Sequence, residues 1–220
     1  MKLDLHIHSK FSRDGAATVE DILGRCRSLG LDGCSITDHN SIDGSIEAFE
    51  LAHSFGLLVV RGIEISTSEG HVLAYGLSST VPSGLAVAET IQRVHEAGGI
   101  AVAAHPRRFP SGLGIRRASK ESFDAVEILN GGSSRASNKS SAALATRIGL
   151  PGVGGSDAHR IEEIGRAATV LQDVTSERQV IDSILGGKTS VVGRSRNVQE
   201  TVVYAKETLT EWVRGGFKRM

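Results

Sequence analysis

The sequence predicts an α/β protein of largely parallel strands in one domain, because one unit recurs along the chain. In each copy an amphipathic helix pattern ends at glycine and a short apolar run follows: ILGRCRSLG then LDGCSIT, FELAHSFG then LLVVRGIEI, QRVHEAGG then IAVAAH, ALATRIG then LPGVGGS. Alternation of helix, glycine stop and strand is the pattern of a parallel sheet covered by helices. Length agrees, since 220 residues suit one sizeable domain of barrel type.

Strand patterns fall near 3–8, 33–38, 57–65, 71–76, 99–104, 124–129, 151–155, 167–172 and 189–193. In the first, alternate side chains share a face, so His6 and His8 point the same way. Thr18-Val19-Glu20-Asp21 resembles a capping box with Asp in the reciprocal place and opens the first helix. Cys26 in that helix and Cys34 in the next strand read as core residues. His53 and His95 lie within helices, away from strand ends, and read as surface or packing residues.

Pro106 to Ser122 is the longest irregular stretch, and the serines between Gly132 and Ser141 lead into a capped helix. Gly154-Gly155-Ser156 lacks the Lys and helix opening of a phosphate-cradling loop, so its glycines are expected to permit a close backbone approach. Ser156 has no histidine base free of other duties and is not read as a nucleophile. Ser176 precedes Gln179 at capping spacing. After Gly193, Ser195 to Asn197 connects to a terminal helix over roughly 198–215, with Val198, Val202, Val203, Leu209 and Trp212 inward.

Lys plus Arg and Asp plus Glu balance at 25 each, so no global field favours a long nucleic-acid track or a membrane surface, and phosphate recognition has to be local. Hydrophobic residues are 40% and charged residues 23%, with no run long enough to span a bilayer. The first residues enter a strand pattern without a basic segment and apolar run, and only two cysteines are present; the expectation is a cytoplasmic protein with reduced thiols.

Six of the eight histidines and three carboxylates lie at or just after strand ends: His6, His8, Asp14, His39, Glu64, His71, His105, Asp157 and His159. A purely structural protein has little use for that distribution. His6-x-His8 and Asp157-x-His159 each project two donors to one face, and Thr37-Asp38-His39-Asn40, Gly62-Ile63-Glu64 and Ala104-His105-Pro106 carry further donors toward one end of a barrel.

In order, HIH, SRDG, TDHN, GIE, HVLAYG, AHP and GSDAH span positions 6 to 159, and this set resembles the polymerase and histidinol phosphatase (PHP) domain family. The resemblance implies a distorted (β/α)7 TIM-like barrel with a C-terminal helix, a single PHP domain over 1–220, and a PHP-associated segment over about 186–220. It also implies two or three divalent ions at the C-terminal ends of the strands. One would take His6, His8, Glu64 and Asp157, a second Asp14, His39 and His159, and a third His71 and His105, with Glu64 bridging the first and third. Asp14, His39, Glu64 and His159 are the catalytic positions so implied. All nine ligand positions carry ligand-type side chains, which favours an enzyme.

Imidazoles and carboxylates without thiolates suit Mn²⁺, Zn²⁺ or Fe²⁺. Such ions lower the pKa of a water and neutralise the charge a phosphate ester gathers, so no side-chain nucleophile is required; the donor of the leaving-group proton stays open. Cations should select the substrate, and Lys10, Arg107 and Arg135 are the expected contacts, ahead of Arg13, Arg108, Arg116 and Arg117.

The expected activity is hydrolysis of a phosphate ester of a small metabolite, nucleotide or oligonucleotide end. HVLAYG and GGKTSVVGRSRN resemble the stand-alone nucleotide-type phosphoesterases more than the longer histidinol phosphatases. The 33 residues between His71 and His105 are too few for the lid subdomain of some family nucleotidases, which implies an open site. Histidinol-phosphate phosphatase is the alternative enzyme. A non-catalytic, metal-stabilised binding module is the alternative of another class, disfavoured because no partner domain is present in the sequence. No membrane partner is expected, and oligomeric state is open.

Overall fold

The computed structural model describes residues 1–197 and 199–202. In chain order the elements are β1 (Lys2–Ile7), α1 (Val19–Ser28), β2 (Gly33–Ile36), α2 (Asp43–Phe55), β3 (Leu58–Val59), β4 (Gly62–Thr67), β5 (Gly70–Tyr75), α3 (Val87–Glu96), β6 (Ile100–Ala103), α4 (Ile115–Ala118), β7 (Ala125–Asn130), α5 (Arg135–Ile148), β8 (Gly152–Gly155), β9 (Ala167–Val170), α6 (Glu177–Leu185) and β10 (Ser190–Gly193).

Helix starts follow the capping logic. The hydroxyls of Thr18, Ser134 and Ser176 accept from the backbone N–H of Asp21, Ser137 and Gln179. Helices α2 and α5 stop at Gly56 and Gly149, whose φ of 63° and 69° is the left-handed conformation that glycine enters without steric cost.

The strands form two five-stranded sheets, ordered β10-β9-β1-β2-β3 and β4-β5-β6-β7-β8. Both are mixed, which corrects the expectation of largely parallel pairing: β5 runs antiparallel to β4 and β6, and β9 antiparallel to β1 and β10. Only Ser68 and Glu69 link β4 to β5, and so short a connection can only return the chain antiparallel. The strand expected over 57–65 is split for a different reason. Val59 ends β3 in the first sheet, Arg61 turns out to a bidentate ion pair with Glu177, and Gly62 begins β4 in the second.

Two seams join the sheets. Along one, Asp157 N–H donates to His6 O (2.7 Å), His8 N–H to Ala158 O (2.8 Å), and Ser156 N–H to an Asp4 carboxylate oxygen (2.8 Å). Along the other, Glu64 N–H donates to Asp38 O (3.2 Å) and Asn40 N–H to Glu64 O (2.9 Å). A core cluster including Leu3, Leu5, Leu73, Tyr75, Val102 and Val153 draws on both sheets, and Tyr75 donates from its hydroxyl to Leu5 O (2.7 Å). Cys26 and Cys34 are buried free thiols of the cluster under α1 and α2. Among the described residues, no helix is long and apolar enough to cross a membrane.

Of the expected terminal helix, Val198, Val203, Leu209 and Trp212 lie outside the described residues, and Val202 is exposed rather than inward. The Asn197 side chain accepts from Glu200 N–H (2.8 Å).

Gly155 fixes how close β8 comes to β1: a Cβ there would meet the Cβ of His6 and stand 2.6 Å from its backbone nitrogen. Gly155→Ala is expected to destabilise the metal-free protein by about 3 kcal/mol in urea unfolding, the upper range for an added methyl that forces backbone apart. An unchanged midpoint would refute this packing account.

Candidate metal centre

The seams deliver the nine donors. His6 is the penultimate residue of β1 and His8 follows the strand; Asp14 lies on the loop to α1; His39 follows β2; Glu64 and His71 sit on β4 and β5; His105 follows β6; Asp157 and His159 follow β8. Two take unusual backbone conformations for residues with a Cβ, His105 at φ 25° and Asp157 at φ 54°. Such conformations cost roughly 1–3 kcal/mol and persist where the surroundings over-determine them. Here the restraints are visible: His105 N–H donates to the Glu127 carboxylate (2.8 Å) and Asp157 N–H to His6 O (2.7 Å).

The nine converge as grouped donors. His6 Nε2 stands 3.2 Å from His8 Nε2, and both stand 3.3 Å from Glu64 Oε2. Asp157 Oδ1 is 3.6 Å from His6 Nε2 and 3.5 Å from His8 Nε2. Ligands tetrahedrally placed about 2.0–2.2 Å from an ion are separated from one another by about 3.3–3.6 Å, and the His6, His8 and Asp157 donors come together near that spacing, with Glu64 Oε2 against the two rings. The second oxygen of Glu64, Oε1, is 2.9 Å from both His71 Nδ1 and His105 Nε2. One carboxylate thus faces two separate donor groups. On the outer side, Asp14 Oδ2 is 3.1 Å from His159 Nε2 and 3.6 Å from His39 Nε2, while His39 Nδ1 is 3.3 Å from Glu64 Oε2. Every atom in these groups is imidazole nitrogen or carboxylate oxygen, the set that intermediate divalent ions accept.

Protonation is set by burial and by the neighbours. Burial alone would raise Glu64, but His71, His39, His6 and His105 hold it well below the usual carboxylate range. Burial likewise opposes Asp14, and the hydrogen bond to His159 together with nearby imidazoles carries it below its ordinary value. Burial depresses His39 to about 3 and His105 to about 4, and lowers His159. These rings are neutral at pH 7, as ligands must be. His6 behaves differently: burial opposes its charge, yet Glu127 and Glu64 on either side raise it to about 10.

Sequence reading missed Glu127, which is 1% exposed in mid-β7. Its Oε1 is 2.9 Å from His6 Nδ1, which leaves Nε2 to the donor group. The available signal was one acidic residue inside the apolar run AVEILN. Ser12 also escaped notice; its Oγ lies 3.0 Å from His8 Nδ1 and accepts from His39 N–H (2.8 Å). Of the adjacent arginines, Arg108 places its guanidinium on Asp157 Oδ2, whereas Arg107 is exposed. Lys10 and Arg135 are exposed too, Lys10 over the Phe11 ring and Arg135 at the start of α5.

A largely buried cluster of N/O donors at the junction of two sheets defines an α/β protein whose site is suited to holding more than one metal ion. The PHP domain model matches residues 4–127, and a model described as PHP-associated matches 135–189. The chain belongs to the PHP domain family. An uncharacterized protein of Methanocaldococcus jannaschii is 38% identical over 141 residues, 59% of this chain and 82% of its own. Phosphoribosyl 1,2-cyclic phosphate 1,2-diphosphodiesterase of Eggerthella lenta is 33% identical over 99 residues, 42% of this chain and 37% of that enzyme. A two-domain protein of Bacteroides vulgatus, described as containing a predicted PHP-like metal-dependent phosphoesterase, superposes with a TM-score of 0.73 at 19% identity, over 88% of this chain and 65% of that one.

The raised value at His6 gives metal uptake a definite pH dependence. Without metal, His6 holds a proton at pH 7 that an incoming ion must displace. In the metal-free protein this charge contributes stability that is fully present below the ordinary histidine value and lost as pH rises through about 10. Between pH 6 and 8, Mn²⁺ affinity should therefore rise about tenfold per pH unit with release of about one proton, read by calorimetry in buffers of different ionisation enthalpy. Glu127→Gln should reduce the proton release and weaken Mn²⁺ about 10–100-fold. Affinity independent of pH would refute the assignment.

Proposed function

We propose that the protein is a metal-dependent phosphoesterase that hydrolyses a phosphate ester of a small metabolite, nucleotide or oligonucleotide end. The observation that carries this reading is Glu64, whose two oxygens face separate groups of N/O donors in one buried cluster. His6, His8, Glu64 and Asp157 would hold one ion, Asp14, His39 and His159 a second, and His71 and His105 a third that shares Glu64. Manganese, zinc and iron all suit the donors. When bound, such ions acidify water and neutralise the charge of a phosphate group undergoing displacement.

The chain's own residues supply order. Glu127 holds His6 so that Nε2 faces the cluster, Ser12 does the same for His8, and Arg108 and the amide beside it occupy the second oxygen of Asp157. Asp14, His39, Glu64 and His159 line the catalytic face in this reading. Asp14 is 49% exposed and His159 25%, which supports an approach of substrate from the side of these outer donors. Lys10, Arg107 and Arg135 are the proposed contacts for the phosphate or the group it bears. We further infer that the two joined sheets act as one distorted (β/α)7 barrel within a single PHP domain, and we place the protein in the cytoplasm, consistent with two free buried thiols.

Elemental analysis of purified protein joined to a Mn²⁺-supplemented screen of phosphate esters tests the reading. Nucleotides or oligonucleotide ends should be hydrolysed ahead of histidinol phosphate, and His39→Ala and Asp157→Ala should each lower kcat/KM by about 10²-fold or more. Parental activity in either variant would sink the mechanism, and preference for histidinol phosphate would replace the substrate assignment.

A further inference from the structure

Beyond the nine donors, a single buried amide stands against two of the carboxylates that shape the cluster. Asn130 is fully buried at the end of β7. Its Nδ2 donates to Glu127 Oε2 (3.0 Å) and to Asp157 Oδ2 (3.0 Å), which commits both hydrogens of the amide. Its own Oδ1 is buried and has no hydrogen-bond partner among the described residues. An orphaned buried acceptor is costly, so the two bonds donated by Nδ2 are what hold the amide in this place. Turning the amide over is no remedy, because its oxygen would then face two carboxylates.

We propose that Asn130 is a positioning residue that sets two donors of one proposed ion together, the Asp157 carboxylate and the His6 ring. The inference rests on the metal-centre reading above. Holding Asp157 Oδ2 turns Oδ1 toward His6 Nε2 and His8 Nε2, at 3.6 and 3.5 Å. Holding Glu127 Oε2 keeps Oε1 on His6 Nδ1 at 2.9 Å, which leaves Nε2 as the ring's free donor. The same Glu127 Oε2 accepts His105 N–H (2.8 Å), so the amide also braces the backbone at His105.

Asn130 has a second, separable set of contacts. Its backbone N–H donates to Asn138 Oδ1 (3.1 Å), and its carbonyl accepts from Asn138 Nδ2 (2.9 Å), which docks α5 on β7. On the Asn130 side these bonds use only the main chain. Asn130→Asp therefore keeps shape and docking while replacing the two donated hydrogens with a third carboxylate against the pair. Asn138→Ala does the reverse, loosening α5 while the amide stays on Glu127 and Asp157.

The test is titration of metal-free parent, Asn130→Asp and Asn138→Ala with MnCl₂ by calorimetry, with CoCl₂ d–d absorption as a report on coordination geometry and thermal melting as a report on the fold. Asn130→Asp is expected to weaken the tightest Mn²⁺ site about 10–100-fold and to change the Co²⁺ spectrum. Asn138→Ala should lower the Tm while keeping the parental affinity within about twofold and the parental spectrum. Asn130→Ala, read by the same measurements, replaces Asn130→Asp if that variant does not fold. A parent that takes up no ion overturns the metal-centre reading and this inference with it. A parent that binds, beside an Asn130 variant with parental affinity and spectrum, overturns the inference alone.

Discussion

A carboxylate with 1% exposure, Glu64, is the constraint around which the molecule is arranged. Removing an ionised carboxylate from water costs several kcal/mol unless partners replace its hydration. His6, His8 and His39 approach one oxygen and His71 and His105 the other, so the residue is tolerated only where strands from both sheets bring imidazoles to it. Its backbone belongs to the same solution, for the Glu64 N–H and C=O bond to Asp38 and Asn40 and tie β4 to the end of β2. Moving Glu64 out of place would undo a seam of the fold as well as the centre of the cluster.

The opposite seam has the same double character. Asp4 accepts backbone N–H groups from Ser156 (2.8 Å) and Gly165 (2.8 Å), on either side of Asp157 and His159. Gly155 lets β8 come against His6 without a side chain between them. Sheet pairing and donor placement are therefore one problem, and the unusual φ at His105 and Asp157 marks where backbone comfort yields to donor direction.

Much of this was legible in the sequence for identifiable reasons. The two-residue period of a strand puts His6 and His8 together whatever else the fold does, and the cap spacings at Thr18 and Ser176 are local. The convergence of Asp14, Glu64 and Asp157, which are far apart in sequence, came from motif order rather than from local pattern. The lone acid of AVEILN signals Glu127 without saying whether it is buried, and Asn130 was illegible because its bond to Asp157 is long-range. The choice between Arg107 and Arg108 depends on the turn after His105, in which Arg108 N–H donates to His105 O (2.8 Å). The mixed sheets escaped because glycine stops and apolar runs reveal the presence of strands but not their direction.

Charge links these features to anion recognition. The chain as a whole is neutral, so any attraction for phosphate must arise locally. Asp14, Glu64, Asp157 and Glu127 bring four negative charges to the cluster, while an imidazole that ligates an ion does so as a neutral donor. On the metal-centre reading, two divalent ions balance those four charges and leave the centre neutral. A third ion at His71 and His105, or the Arg108 guanidinium against Asp157, then tips it positive. On that reading the use of six imidazoles and few carboxylates has a physical sense: neutral donors would hold cations without cancelling a field that attracts an anionic substrate.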